Sequence, residues 1–212
     1  MGSVQTRRQF IPGQTPIVAF DFDGTLTVRD SFTAFLRWRA GRRGWAKGML
    51  SLAPAVATYA RDHDRGRIKA ASVRAFLKAV PRATLEADAE AFAAKAWDGF
   101  MRPDALACWN DWGVRGAHRV IVTASPDTTV APFARRLNAD ALFGTKLVFD
   151  EQDRVTGGFA GPNCRGEEKV RRLRAVYGED VRLVAAYGDT SGDAEMFQIA
   201  DDAGFRRFRG RP

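Results

Sequence analysis

The stretch Pro16-Ile17-Val18-Ala19-Phe20-Asp21-Phe22-Asp23-Gly24-Thr25-Leu26-Thr27 decides how the rest of the chain is read. Ile17 to Phe20 form a short unbroken apolar run rich in β-branched and aromatic residues, the pattern of a strand buried on both faces of a sheet. The run ends in acids. Asp21 and Asp23 lie two residues apart, so both side chains leave the same side of an extended chain, and Gly24 allows a sharp turn after them. Two carboxylates in one pocket are costly unless a cation or a shared proton offsets them. The pattern therefore predicts a Mg²⁺ site in which one acid attacks and the other carries a proton. The plain rival is a surface turn with solvated acids.

With 212 residues the chain can bury a full core and carry a sizeable insertion. Lys and Arg number 33 against 25 Asp and Glu, a net charge of +8 and a pI near 10.1, so phosphates, acidic lipids or nucleic acid are the partners its surface attracts. Cys108 and Cys164 stand apart without a C-x-x-C spacing and read as thiols in a reducing compartment, which makes a cytoplasmic protein the expectation. The polar residues 1–14 read as a flexible leader without an apolar signal core; Met1 to Thr6 fits the loose myristoylation pattern, which six residues match easily by chance. The most apolar segment, Gly44 to Ala60, is interrupted by Lys47, Ser51 and Pro54 and is no membrane span.

After the first strand the pattern turns helical for about eighty residues. Asp30 or Ser31 caps a helix that ends at Gly41–Gly44; a second runs from Trp45 to Tyr59 with an interruption at Pro54; Arg61 to Arg67 is a polar connection. Further helices carry Ile68 to Val80, Leu85 to Trp97 and Asp104 to Trp112. Arg119 to Thr123 is the next strand, and Ser125-Pro126-Asp127 reads as cap, first helical residue and dipole-matched acid, so strand meets helix N-terminus where backbone N–H groups bind anions. Ala141 to Phe149 and Val155 to Phe159 read as a hairpin. In the helix Gly166 to Tyr177, Val170, Leu173 and Val176 face the core and Lys169 lies at the edge of that face. A last buried strand, Val181 to Tyr187, ends in Gly188-Asp189-Thr190-Ser191-Gly192-Asp193, and the Arg-rich Gly204 to Pro212 departs from the apolar strand expected to follow. Strands separated by helices make a mostly parallel α/β sheet with ligands at its carboxyl edge.

Asp21-Phe22-Asp23-Gly24-Thr25, Val122-Thr123-Ala124-Ser125, Gly166-Glu167-Glu168-Lys169 and Gly188-Asp189-Thr190-Ser191-Gly192-Asp193 stand in one order that resembles the haloacid dehalogenase superfamily over residues 16 to 200. The helical insert looks like the cap of the phosphoserine-phosphatase-like branch, and Ser125-Pro126 with the Asn163 to Lys169 string looks closest to subgroup IB, which holds phosphatidylglycerophosphatase-type and uncharacterised bacterial hydrolases. The resemblance implies a Rossmann-like core of residues 15–29 and 114–212 with an α-helical cap, residues 30–113. It implies Asp21 as nucleophile through an aspartyl-phosphate and Asp23 as general acid and base; an Asp there argues against dehalogenation, because halide leaves without a proton. Mg²⁺ would be held by Asp21, the backbone carbonyl of Asp23 and Asp189, with Asp193 positioning its ligands. Thr123, the Ala124 N–H and Lys169 would hold the phosphoryl oxygens, with Arg165 or Lys146 as substitutes for Lys169.

The implied function is a Mg²⁺-dependent phosphomonoester hydrolase acting on a small phosphorylated metabolite such as phosphoserine. Asp30, nine residues after Asp21, stands where phosphoserine phosphatases carry a Glu that meets the substrate amino group, one methylene shorter. Arg37, Arg39, Arg42, Arg43 and Lys47 beside Trp38, Trp45, Met49 and Leu50 make an anionic membrane surface the second candidate partner and a lipid phosphate the alternative substrate. A non-catalytic phosphate- or nucleic-acid-binding protein on the same fold is a reading of another class, motivated by Arg206, Arg207, Arg209 and Arg211; the full set of acids disfavours it, since a binder of anions gains nothing from crowding carboxylates. A phosphorelay receiver would carry its acceptor Asp on a later strand. His63 and His118 have no metal or triad spacing, and the oligomeric state is not legible.

Overall fold

The computed structural model describes residues 10–11, 13–62 and 65–212; the myristoylation pattern, most of the leader and His63 lie outside them. A five-stranded parallel sheet has the order β3-β2-β1-β6-β7, with β1 (Ile17–Phe20) at its centre, β2 (His118–Pro126) and β6 (Leu183–Gly188) on either side, and β3 (Ala141–Thr145) and β7 (Ala200–Phe205) at the edges. The apolar run of β1 divides by the period-two rule: Val18 and Phe20 enter the core shared with the helical insertion, Ile17 and Ala19 the core on the opposite face. In register, Phe20 pairs with Ile121 on one side and Tyr187 on the other, so β1 and β6 end level with the middle of the longer β2 and Asp21, Thr123 and Asp189 come to one edge.

The insertion begins with α1 (Ser31–Asp62), capped by Asp30, whose Oδ1 accepts the Thr33 N–H at 2.6 Å. The chain breaks direction at Gly41 (φ +63°), where an end was expected, whereas Pro54 produces no backbone break. α2 (Arg65–Leu77) and α3 (Arg82–Ala96) follow, and α4 (Pro103–Val114) rests on the sheet: Trp109, fully buried, meets Phe20 edge-on at 5.0 Å and donates Nε1–H to Leu137 O at 3.0 Å. Trp112 donates to the Tyr187 hydroxyl at 3.1 Å.

Three expectations change. The apolar run 141–149 is two strands: β3 completes the main sheet beside β2, and only β4 (Leu147–Phe149) pairs antiparallel with β5 (Val155–Phe159). Gly144-Thr145-Lys146 interrupts the run, but the sequence does not say which strand each half pairs with. The β4–β5 hairpin reaches the insertion instead, through Ala79 N–H to Val155 O (2.8 Å), Val155 N–H to Val80 O (2.9 Å) and an Arg82–Asp153 ion pair of 2.8 Å. In α6 (Glu167–Tyr177), Val170 and Leu173 are buried but Val176 is 59 % exposed; Tyr177, four residues after Leu173, carries the inward stripe and its hydroxyl meets His118 Nε2 at 2.9 Å. The last strand lies in Ala200–Phe205, before the Arg-rich segment, and as an edge strand it needs pairing to β6 more than apolar side chains.

α5 (Asp127–Arg136) starts directly after β2, but Ser125 is a strand residue and caps nothing. Cys108 and Cys164 are free thiols, and among the described residues no helix is long and apolar enough to cross a membrane. Trp109→Ala should cost about 3–5 kcal/mol of unfolding free energy in a urea titration, because it empties the contact between α4 and β1, whereas Val176→Ala should stay within about 0.5 kcal/mol.

Candidate active site

Lys169 joins the parts. It projects from the first turn of α6 and is 2 % exposed, and its Nζ donates to Asp21 Oδ1 (2.7 Å), Asp193 Oδ1 (2.6 Å) and Val122 O (2.6 Å). One ammonium thus ties helix α6 to the ends of β1 and β2 and to the turn after β6. Burial disfavours its charge, but Asp21 and Asp193 outweigh that and hold it protonated.

Asp21, Asp189 and Asp193 each offer a carboxylate oxygen within 4.8 Å of the others. Burial, foremost, raises the Asp21 carboxyl to about 7; the Lys169 charge opposes this, and the charges of Asp193 and Asp23 add to it. Burial and then Asp193 likewise raise Asp189, whose Oδ1 is buried with no hydrogen-bond partner among the described residues. Asp193 is differently placed: Oδ2 accepts the backbone N–H groups of Asp189 (3.2 Å) and Thr190 (3.0 Å) and the Thr190 hydroxyl (3.1 Å), so it shapes the turn that presents Asp189. Three acids against one ammonium leave an excess of negative charge, and an unpartnered carboxylate oxygen faces it. This all-oxygen donor set fits a hard divalent cation such as Mg²⁺.

Asp23 is held apart from that cluster. Gly24 (φ +80°) turns the chain after it, and a Cβ on Gly24 would collide with the Asp189 carboxylate, so the tight turn and the bare backbone are both required. Asp23 Oδ1 accepts the Ser31 N–H at the start of α1 (2.6 Å), and Oδ2 accepts the Ser125 hydroxyl (2.5 Å) and, at 3.5 Å, the Thr123 hydroxyl. Burial and then the Asp30 charge raise its carboxyl, with Lys69 opposing. Two acids separated by one residue therefore sit in unlike settings, one against an ammonium and the other against hydroxyls and a backbone N–H.

The fold gathers Asp21, Asp23, Asp30, Ala124, Lys169, Asp189 and Asp193 on the wall of one cavity of about 560 Å³. Thr123 stands behind that wall, fully buried, its hydroxyl accepting the Ser125 N–H at 3.0 Å as well as facing Asp23. Asp30 caps α1 and also lines the cavity. Arg165 is at the wall, bound to the Ser191 hydroxyl at 2.8 Å, whereas Lys146 is exposed on the strand connection.

Three participants escaped the sequence reading. Ser125 looked like a helix cap and is instead a partner of Asp23. Lys69, from α2 of the insertion, crosses to the core and donates to Ala124 O at 2.9 Å. Arg102 donates Nε–H to Gly24 O and Thr27 O, both at 3.2 Å, and braces the turn from outside. Only Ser125 had a local signal, its place one residue beyond the Thr123-Ala124 pair; the others arrive over sequence separations that no pattern encodes.

Residues 18–198 match the haloacid dehalogenase-like hydrolase family. The chain belongs to it. Over 201 residues it is 59 % identical to Protein CicA of Caulobacter vibrioides, covering 94 % of this chain and 90 % of that one. The fold is similar to that of a substrate-bound phosphoserine phosphatase complex (TM-score 0.61, 18 % identity, 90 % of this chain and 85 % of the other). It is also similar to a phospho-aspartyl intermediate analogue of phosphoserine phosphatase (TM-score 0.57, 19 % identity, 90 % and 93 %). The matched residues include all four motifs, and residues of each line the one cavity at the sheet edge.

The carboxylate cluster makes a measurable claim. Mg²⁺ at about 100 times its Kd should raise the Tm of the protein by about 5–10 °C. In Asp189→Asn the rise should fall below about 2 °C; a parent protein whose Tm does not respond to millimolar Mg²⁺ would show that the cluster does not take this ion.

Proposed function

We propose that this hydrolase is a Mg²⁺-dependent phosphomonoester phosphatase working through an aspartyl-phosphate. The observation that carries the reading is the unlike setting of Asp21 and Asp23. Asp21 Oδ1 is taken by Lys169, while Oδ2 has no hydrogen-bond partner among the described residues and is free to attack phosphorus. As the P–O bond to the leaving group breaks, Asp23, its carboxyl raised by burial, gives that oxygen its proton; it then takes a proton from the water that opens the acyl phosphate. Ser125 and the Ser31 N–H hold Asp23 in the orientation for both transfers. The Ala124 N–H would donate to a phosphoryl oxygen, Lys169, with its three protons engaged, would offset phosphoryl charge, and the Thr123 hydroxyl supports this wall by fixing Ser125 and Asp23. Mg²⁺, held by Asp21, the Asp23 carbonyl and Asp189 within the turn that Asp193 shapes, would supply further charge against the phosphoryl oxygens.

A cavity of about 560 Å³ suits a small metabolite such as phosphoserine. Its outer wall offers Asp30 for an ammonium and Lys69 and Arg29 for an anion, with the Phe32 ring beside them. The residues 30–113 that supply this wall form the proposed cap. A lipid phosphate remains the second substrate reading, favoured by exposed Met49, Leu50 and Val56 on the basic α1. The tryptophans do not contribute to that face: Trp45 stacks on Phe76 at 5.1 Å and Trp38 lies 5.7 Å from Phe92, inside the helical insertion.

Inorganic phosphate release should be Mg²⁺-dependent across a panel of phosphoserine, sugar phosphates, nucleotides and phosphatidylglycerophosphate, and Asp21→Asn should lower it by about 1,000-fold or more. A folded, Mg²⁺-binding protein inactive on the whole panel would move the non-catalytic binder to the front. Ser125→Ala should lower kcat about 10-fold with KM little changed, since it removes a partner of Asp23 and leaves the phosphoryl donors in place.

A further inference from the structure

After β7 the chain turns at Arg206 (φ +49°) and runs back along the carboxyl edge of the sheet. Four contacts fasten it there. Arg206 donates Nε–H to Asp189 O at 2.9 Å; Phe208 is buried 5.2 Å from the Tyr187 ring; Asp104 Oδ2 accepts the N–H groups of Arg209 (2.7 Å) and Gly210 (2.8 Å); and Gly210 O accepts from Arg102 at 3.0 Å. The strap and the DFDGT turn enclose a groove of about 880 Å³ lined by Arg102, Arg206, Arg209 and Arg211. Gly24, Val28, Arg102 and Asp189 are walls of this groove and of the catalytic cavity alike, so the two open into one another's boundary.

The charge of the groove is uncompensated. Elsewhere arginines meet carboxylates, as Arg39 does Asp88, Arg135 Glu90 and Arg182 Asp201. None of the four groove arginines is in an ion pair among the described residues, and the one acidic side chain in the lining, Asp189, belongs to the carboxylate cluster of the catalytic site. Arg102 is also braced by the Gly24 and Thr27 carbonyls, so its guanidinium is held in place before any ligand arrives. A carboxylate has too few lone pairs and too little charge to meet several guanidinium forks; a phosphate accepts from several at once.

We propose that this groove is a second anion subsite, which binds a phosphate carried on the leaving group, so that the preferred substrates are phosphomonoesters bearing a second phosphate. This rests on the phosphatase reading: a leaving group held in the catalytic cavity reaches the groove past Gly24, Val28 and Arg102, the walls that the two share. The second phosphate belongs to a soluble bisphosphate or to the phosphodiester of a lipid headgroup, and the chemistry of recognition is the same for both.

The test compares kcat/KM for α,ω-alkanediol monophosphates with the matching bisphosphates, two to six carbons long, at fixed ionic strength. The parent should prefer at least one bisphosphate by about 10- to 100-fold, mainly through KM, and Arg209→Glu/Arg211→Glu should reduce that ratio to within about threefold of unity, with Arg209→Gln/Arg211→Gln between them. Equal kcat/KM for every pair, with the monophosphates hydrolysed, overturns the subsite and leaves the phosphatase reading standing. If nothing on the series is hydrolysed, the wider phosphomonoester panel decides the phosphatase reading, and calorimetric titration of the same compounds decides the subsite: tighter binding of a bisphosphate that the charge reversal abolishes supports it, and equal binding overturns it. Phosphatidylcholine vesicles carrying phosphatidylglycerophosphate form the last arm. A higher kcat/KM on them than on any soluble bisphosphate assigns the second phosphate to a lipid, and the reverse order assigns it to a metabolite.

Discussion

The ammonium of Lys169 among the buried carboxylates constrains everything around it. A charge taken out of water is stable only if its partners are close and all its protons are used, and Lys169 spends its three on Asp21, Asp193 and Val122 O. Those three acceptors come from three different elements, so the register of α6 against the sheet is set by one side chain. The remaining negative charge of Asp21, Asp189 and Asp193 then attracts cations on one side, while the proposed chemistry asks Ala124, on the same cavity wall, to take a phosphoryl oxygen on the other. Opposite demands are met within one small volume because the acids and the donors leave neighbouring parallel strands at the same edge.

The acid pair works only because the turn between its members is tight. Gly24 takes a backbone conformation that other residues adopt at a cost, and it leaves room for Asp189 where a Cβ would stand. Asp23 is thereby carried away from the cluster into contact with Ser31 and Ser125, which belong to the insertion and to β2. Insertion and core are thus coupled at Asp23 as well as through Lys69, which reaches from α2 to Ala124 O. The β4–β5 hairpin props the far side of the insertion through Arg82 and Asp153, so the helices above the cavity are supported at both ends.

Arginine-rich surface is uniform in the sequence and uneven in the fold. Many arginines find acids, some along one helix, as Arg171 and Arg172 do with Glu168, and some across elements, as Arg39 does with Asp88. The strap after β7 instead gathers guanidinium groups beside the catalytic edge without acids to match, which turns a general excess of positive charge into a local one.

The sequence by itself determined the buried central strand, the acids at its end, the parallel sheet with ligands at its carboxyl edge, the helical insertion and the inward aim of Lys169. These depend on periodicity, on glycine, and on short-range order, all of which a linear pattern carries. It also singled out Asp21, Asp23, Lys169, Asp189 and Asp193, which the fold brings to one cavity. Tertiary structure alone decided which strands the two halves of the run 141–149 pair with, that Ser125 serves Asp23 instead of a helix end, that Tyr177 and not Val176 completes the stripe of α6, and that Lys69, Arg102 and the strap of Arg206 to Arg211 stand around the site. Each of these turns on which partner a residue meets across scores of positions, and a hydroxyl, an ammonium or a guanidinium has the same sequence signature whether it meets water, a helix end or a buried carboxylate.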